Sequence, residues 1–303
     1  MMTRYEHDGI VWIDLESPRR EEVREVMEEF DIDALIAEEL LLPTTKPRVD
    51  ARTDYCYLIL HFPALRHSRK SREQEVDFLV GKKFIITTRY DTIDPLHKFS
   101  KIFEVNSVLD RQVMSEHAGY IFFYMLKRLY GAVEHEISFI GDALLDIEGQ
   151  IFEGYEREMV EGISRAGRDL LNLRHAIEPH RDVLKEFELV APKLFGDSFK
   201  PYILGTINDY YKVHNHVMRH IASLQELRET NNSLLNAKQN EIMKTLTLLA
   251  FVTYPLALIA AVFGMNTLHT PLVNGSYGFW YILLLMFSAA GTMFGYFKYR
   301  KWL

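Results

Sequence analysis

The sequence predicts an α+β membrane protein: an N-terminal cytoplasmic α/β domain, long stalk helices, and two C-terminal transmembrane helices. Three observations lead there. Short β-rich runs alternate with amphipathic stretches up to about residue 92. Strand signals then vanish from Asp94 onward and helical periodicity takes over. Nearly all the membrane-grade hydrophobicity lies at the C-terminal end, in two runs without Lys, Arg, Asp or Glu.

The first strand is read in "GIVWIDL" (Gly9 to Leu15). Ser17-Pro18 ahead of "RREEVREVMEEF" predicts a helix capped by Ser17 with Pro18 at its first position. "DIDALIAEELLL" (Asp31 to Leu42) is a second short helix, ended by Pro43. "YCYLILHFP" (Tyr55 to Pro63) and "EVDFLVGKKFIITTRY" (Glu75 to Tyr90) read as strands, the latter a hairpin about Gly81-Lys82. Helical periodicity then runs from His117 to Gly154, resumes from Glu156 to Val190, and starts again near Ser198. No proline interrupts Tyr202 to Pro255, a length that suits a stalk, a coiled coil or a membrane span. The expected divisions are an α/β subdomain (1–92), a helical subdomain (93–197), a stalk helix running into the first span (198–263), an outer loop (264–278), the second span (279–297) and a basic tail (298–303).

The totals fit this division. Among 303 residues stand 42 acidic and 35 basic side chains, a net charge of −7 that is spread along the chain and leaves no basic footprint for nucleic acid. Cys56 is the sole cysteine, so no intrachain disulfide forms, which suits a reducing compartment. The opening residues lack a long apolar core, and no signal peptide is expected. Neither a nucleophile signature nor a phosphate-binding Gly-rich loop is present, so the chain reads as no enzyme.

Leu246 to Phe263 and Phe279 to Tyr296 are free of charge. Each is ~18 residues, roughly 27 Å of helix against a hydrocarbon core of ~30 Å. The bland alternative, a pair of buried core helices, would normally keep one wet face. Trp280 and Tyr281 at one end of the second run and Tyr299 and Trp302 at the other fit interfacial belts. The connecting loop has no Lys or Arg, whereas Lys238 and Lys244 precede the first run and Lys298, Arg300 and Lys301 follow the second. By the positive-inside rule the loop faces out and both termini face the cytoplasm.

Two spans per chain enclose no aqueous path alone, so conduction would require an oligomer. Asn240, Met243, Thr247, Ala250, Tyr254, Ala257 and Ala261 form a small or weakly polar stripe at alternating steps of three and four, with Leu246, Leu248, Leu249, Phe251, Leu256, Leu258, Ile259 and Phe263 on the other faces. Such a stripe suits parallel helices about a common axis, and equally suits ordinary small-residue packing with no pore. Pro255 leaves the Phe251 carbonyl without its helical donor, compatible with a kink or a wetted wall. Gly264-Met265-Asn266 then closes the run. Mg²⁺ sheds water reluctantly, and a ring of neutral carbonyl and amide oxygens can hold the hydrated ion without trapping it.

With "NEIMKTLTLLAFVTYPLALIAAVFGMN", a short loop, a second span and "KYRKWL" in this order, the C-terminal third resembles the CorA family of divalent-cation channels. Weaker echoes in "WIDL", "DALIAEELLLPTTKPRVD", "DYCYLILHF", "FLVGKKFIITTR" and "IEPHRDVL" extend the resemblance over nearly the whole chain. It implies a homopentameric funnel in the inner membrane, passing Mg²⁺ down its electrochemical gradient and often accepting Co²⁺ or Ni²⁺. It implies an outer selectivity ring from Asn266 and the Gly264 carbonyl beside Met265, and constrictions at Asn240, Met243, Leu246 and Tyr254. Tyr254 departs from the family's usual aliphatic residue or Met, Ala257 from its common hydroxyl, and the outer loop lacks the acidic motif often found there. The resemblance also implies closure by intracellular Mg²⁺ bridging acids of neighbouring subunits. One acid falls on Glu39, beside Glu38; the other falls on Gly205, for which Asp209 on the same helical face is the substitute. Mg²⁺ is thus expected as transported and regulatory ion, with no prosthetic group. A Zn²⁺ transporter of the same architecture and a membrane-tethered scaffold or sensor are the rival readings. His216 and His220, at i and i+4, have the spacing to chelate a transition metal, but without further ligands they read as surface residues of the stalk.

Overall fold

The computed structural model describes residues 1–44, 46–63, 73–91, 93, 95–101, 117–265, 277–300 and 302. It divides into two compact units, Met1–Glu229 and Thr230–Leu303.

The first unit is built on a six-stranded sheet. Its strands are β1 (Met2–His7), β2 (Ile10–Glu16), β3 (Arg48–Ala51), β4 (Tyr55–Pro63), β5 (Glu73–Gly81) and β6 (Phe84–Arg89). They lie side by side in the order β1-β2-β6-β5-β4-β3. Only β2 and β6 run parallel, with Ile13 beside Ile86. The expected hairpin is present, Val80 pairing with Ile85 across the turn. β4 is buried along its whole length, which explains why its sequence is continuously apolar rather than alternating. The edge strands β1 and β3 were not expected from the sequence. Both are short, polar and partly exposed, so they carry no clean apolar period.

One sheet face packs under α1 (Arg20–Phe30) and α2 (Ala34–Glu39). Ile13, Leu15, Tyr57, Ile59, Leu79 and Ile86 from the strands meet Val23, Val26 and Ile36 from the helices there, with Leu40 just beyond the end of α2. The expected Ser17 cap is corrected. Ser17 sits at φ 44 and gives its hydroxyl to the Tyr90 carbonyl at 3.2 Å. The helix begins two residues later, where the Glu22 carboxylate accepts the Arg19 N–H at 2.8 Å. α2 is shorter than read: Asp33 caps it, accepting the Leu35 N–H at 2.8 Å.

The opposite face carries α3 (Gly119–Phe152), α4 (Glu156–Ile177) and α5 (His180–Phe195). Phe78 meets Phe122 edge-on at 5.1 Å, and Phe62 meets His180 at 4.9 Å. The single helical stretch expected over 156–190 is two helices. Pro179 has no N–H to continue the first and stands at the cap of the second. His180 locks this break into the core. Its Nε2–H donates to the His61 carbonyl at 2.8 Å, and its Nδ1 accepts from the Tyr130 hydroxyl at 2.9 Å. Burial lowers its pKa to about 4, so the ring is neutral, as both bonds require. A 3₁₀ turn (Asp197–Phe199) leads into α6 (Lys200–Phe263), which begins where the sequence placed it and continues through Pro255. α7 (Gly278–Tyr299) completes the described elements.

Candidate functional site

The second unit holds two helical segments long and apolar enough to cross a membrane, one in α6 and one in α7. The most apolar window of the first is 0% buried and that of the second 6%, the reverse of core helices in a soluble protein. Leu249, Phe251 and Leu258 of α6 and Phe279, Leu284 and Phe287 of α7 are all exposed. In water such surface would be a severe liability, whereas lipid accommodates it.

The stripe in α6 occupies a defined face. At about 100° per residue, the partly covered positions Leu248, Val252, Pro255, Leu256, Ile259 and Phe263 share one side of the helix. Asn240, Met243, Leu246, Thr247, Tyr254, Ala257 and Ala261 are exposed and lie on the other side, with half-covered Ala250 among them. In α7 the partly covered positions Ile282, Leu283, Met286, Ala289, Ala290 and Met293 likewise share one face, continuing to buried Phe297. The threonine hydroxyls of the span are already used as donors: Thr247 donates to the Met243 carbonyl at 2.7 Å and Thr253 to the Leu249 carbonyl at 3.0 Å. Thr247 therefore offers only oxygen lone pairs outward, the polarity a cation favours.

α6 ends at a glycine for a steric reason. A Cβ at Gly264 would stand 2.9 Å from the Ala260 carbonyl oxygen, the same oxygen that accepts the Gly264 N–H at 2.9 Å. Its φ is not in the left-handed region, so the requirement is close approach rather than backbone freedom. Met265 is exposed beside it. Asn266 lies outside the described residues.

In the first unit, the expected regulatory acid Glu39 is engaged by Arg48, whose Nε also donates to Asp50 at 2.8 Å. Glu38 is exposed, and Asp209 is half-buried on α6. Gly205, one helical turn earlier, faces Phe123, whose ring would be 3.4 Å from an added Cβ. Among the described residues no group of three or more His, Cys, Asp and Glu is arranged to hold a metal ion. His216 pairs instead with Glu134 at 2.6 Å, and His220 stands against Gly141.

A buried polar cluster under α2 escaped the sequence reading. Asp77 is fully buried on β5, where its Oδ2 accepts from the hydroxyls of Tyr57 at 3.3 Å and Tyr90 at 3.4 Å. Burial, then the charge of Glu75, raises its pKa well above the carboxylate range. Glu75 accepts the Thr44 N–H at 2.7 Å and stands 3.3 Å from His61. The signal was present in the strand pattern, because Glu73, Glu75 and Asp77 alternate on one face, but only the pairing of β5 with β4 brings His61 beside them.

Comparison with known proteins matches residues 7–300 to the family described as CorA-like Mg²⁺ transporter protein. Thermotoga maritima has a relative named cobalt/magnesium transport protein CorA, 25% identical over 96% of this chain and 83% of its own length. The solved complete structure of the CorA magnesium transporter from Methanocaldococcus jannaschii superposes with a TM-score of 0.84 at 21% identity, covering 99% of this chain and 93% of that one. The cytoplasmic domain of ZntB from Vibrio parahaemolyticus shares the fold over 77% of this chain and 90% of its own, with a TM-score of 0.63 at 11% identity.

Proposed function

The chain belongs to the CorA family of Mg²⁺ transporter proteins, and from that premise we propose that it is a passive Mg²⁺ channel that also admits Co²⁺ or Ni²⁺. It works as a homopentamer in the cytoplasmic membrane, with both termini in the cytoplasm. Five copies of α6 surround the pathway, because two spans in one chain leave no room for water.

The observation that carries this reading is the placement of the stripe. Asn240, Met243, Thr247, Tyr254 and Ala257 stand on the side of α6 away from its covered face, available to line an axis shared with other copies. Met243 and Leu246 narrow the inner end, and Tyr254, a residue 75% exposed in the single chain, fills the middle. The stripe carries no carboxylate, so nothing along it binds a divalent ion too tightly to leave. At the outer end the Gly264 carbonyl and the Asn266 amide oxygens form neutral rings around an ion that keeps its first water shell.

Closure follows from carboxylates at subunit boundaries. Glu39 and Asp209 of neighbouring subunits repel one another until intracellular Mg²⁺ bridges them and draws the subunits together. Arg48 competes with the ion for Glu39, which sets the Mg²⁺ level at which closure occurs.

The test is Mg²⁺ entry into sealed vesicles containing the full chain. Entry that falls to the empty-vesicle rate on Asn266→Ala supports the channel. Zn²⁺ entry driven by a proton gradient, without Mg²⁺ entry, would replace it by a zinc transporter, and absence of any cation movement would leave a membrane tether.

A further inference from the structure

A cavity of 680 Å³ opens between the helical residues 95–101 and one face of α3, far in sequence from the stripe and its outer loop. On α3 its wall is made by Tyr124, Arg128, Gly131 and His135, spaced four, three and four residues apart and so aligned on one side of the helix. Lys127 flanks them, and Pro95 and Lys98 of residues 95–101 also line the cavity.

The charge of this wall runs against that of the chain. The protein carries a net −7, yet Lys98, Lys127 and Arg128 all line the cavity and no carboxylate lines it among the described residues. Elsewhere in the first unit the guanidinium groups of Arg48, Arg89 and Arg174 each lie against an acid. Among the described residues none of the three cavity cations is paired with an acid; Lys127 Nζ lies 5.9 Å over the Phe123 ring, a weak contact that leaves its charge uncompensated. Three cations around one hollow repel each other unless an anion joins them.

Gly131 supplies the second observation. A glycine inside a helix is destabilising relative to alanine, and packing does not demand one here, since an added Cβ would meet nothing within 4 Å. Gly131 lines the cavity with bare backbone, one turn of helix from both Arg128 and His135. We infer that this cavity binds a polyphosphate anion, with a nucleoside triphosphate as the form that fills it. The phosphates lie among Lys98, Lys127 and Arg128, and the nucleoside lies over Gly131 against Tyr124 and His135. The volume is that of a typical small-molecule site, and larger than phosphate alone would use. The site stands independently of the transport reading.

The experiment titrates the full-length protein in nanodiscs with the fluorescent nucleotide MANT-ATP, in Mg²⁺-free buffer at ~0.15 M salt to suppress loose surface binding. Saturable binding is expected, weakened at least about tenfold by the double change Lys127→Gln with Arg128→Gln, and as much by Gly131→Leu. The leucine grows into open space, and a thermal unfolding scan checks that each variant is folded. Lys185→Gln, remote from the cavity, is expected to bind as the parent does. Competition by sodium tripolyphosphate separates the sources: equal competition assigns the affinity to the phosphates, and stronger competition by unlabelled ATP adds the nucleoside contact. No saturable binding of either probe, or binding unchanged in both folded cavity variants, overturns the proposal.

Discussion

Arg48 holds two carboxylates at once, Glu39 and Asp50, and lies over the Tyr57 ring at 5.8 Å. If Glu39 is a regulatory ligand, its first competitor for Mg²⁺ is this guanidinium. Arg48→Ala is expected to close the channel at several-fold lower internal Mg²⁺, read as the half-inhibiting concentration in vesicle flux; an unchanged or higher value would remove Glu39 from the gate. Asp77 gives a test on the fold itself. Its raised pKa means that the folded chain holds its proton while the unfolded chain releases it near the model-peptide value of 3.8. That stabilisation is complete below the unfolded value and fades as pH rises toward the folded one. Asp77→Asn, which keeps the shape without the titration, is expected to gain about 1–2 kcal/mol at pH 7 and nothing near pH 4, measured by denaturant unfolding at both values. A loss at pH 7 would show that Asp77 is ionised in the fold.

At the scale of elements, what was legible in the sequence follows from burial. β4 announced itself because it is buried and apolar on both faces, and the β5–β6 hairpin because two β-rich runs flank a Gly-Lys turn, whereas β1 and β3 lean on a neighbour's backbone and leave little trace in side chains. Pro179 was visible yet read through, since the apolar period continues across it; the neutral His180 bonded to Tyr130 and His61 is what fixes the break. The end of α6 was readable from Gly264-Met265-Asn266 and the absence of charge, but the reason for the glycine is a distance, 2.9 Å to the Ala260 carbonyl. Gly264→Ala must therefore displace the loop entry. It is expected to cut Mg²⁺ flux by about tenfold or more while thermal unfolding of the first unit is unchanged; full flux would show that the helix end is not part of the selective rim. The basic cavity was not legible at all, because Lys98 and Arg128 come to line one hollow only when residues 95–101 pack near α3.

For the whole molecule, the proposed conduction requires one face of α6 to turn toward water inside an assembly while the other turns toward protein or lipid. The chain is well suited to testing this, because Cys56, its sole cysteine, is fully buried and its thiol is pushed up to about 12, leaving it unreactive. Single cysteines placed along the span therefore report on their own positions. In Mg²⁺-free membranes a charged methanethiosulfonate reagent is expected to modify Thr247→Cys, Tyr254→Cys and Ala257→Cys and to leave Val252→Cys, Leu256→Cys and Ile259→Cys intact, read by mass spectrometry of the intact protein. Equal modification of both sets, or modification of the second set alone, would contradict a water-filled axis lined by this stripe.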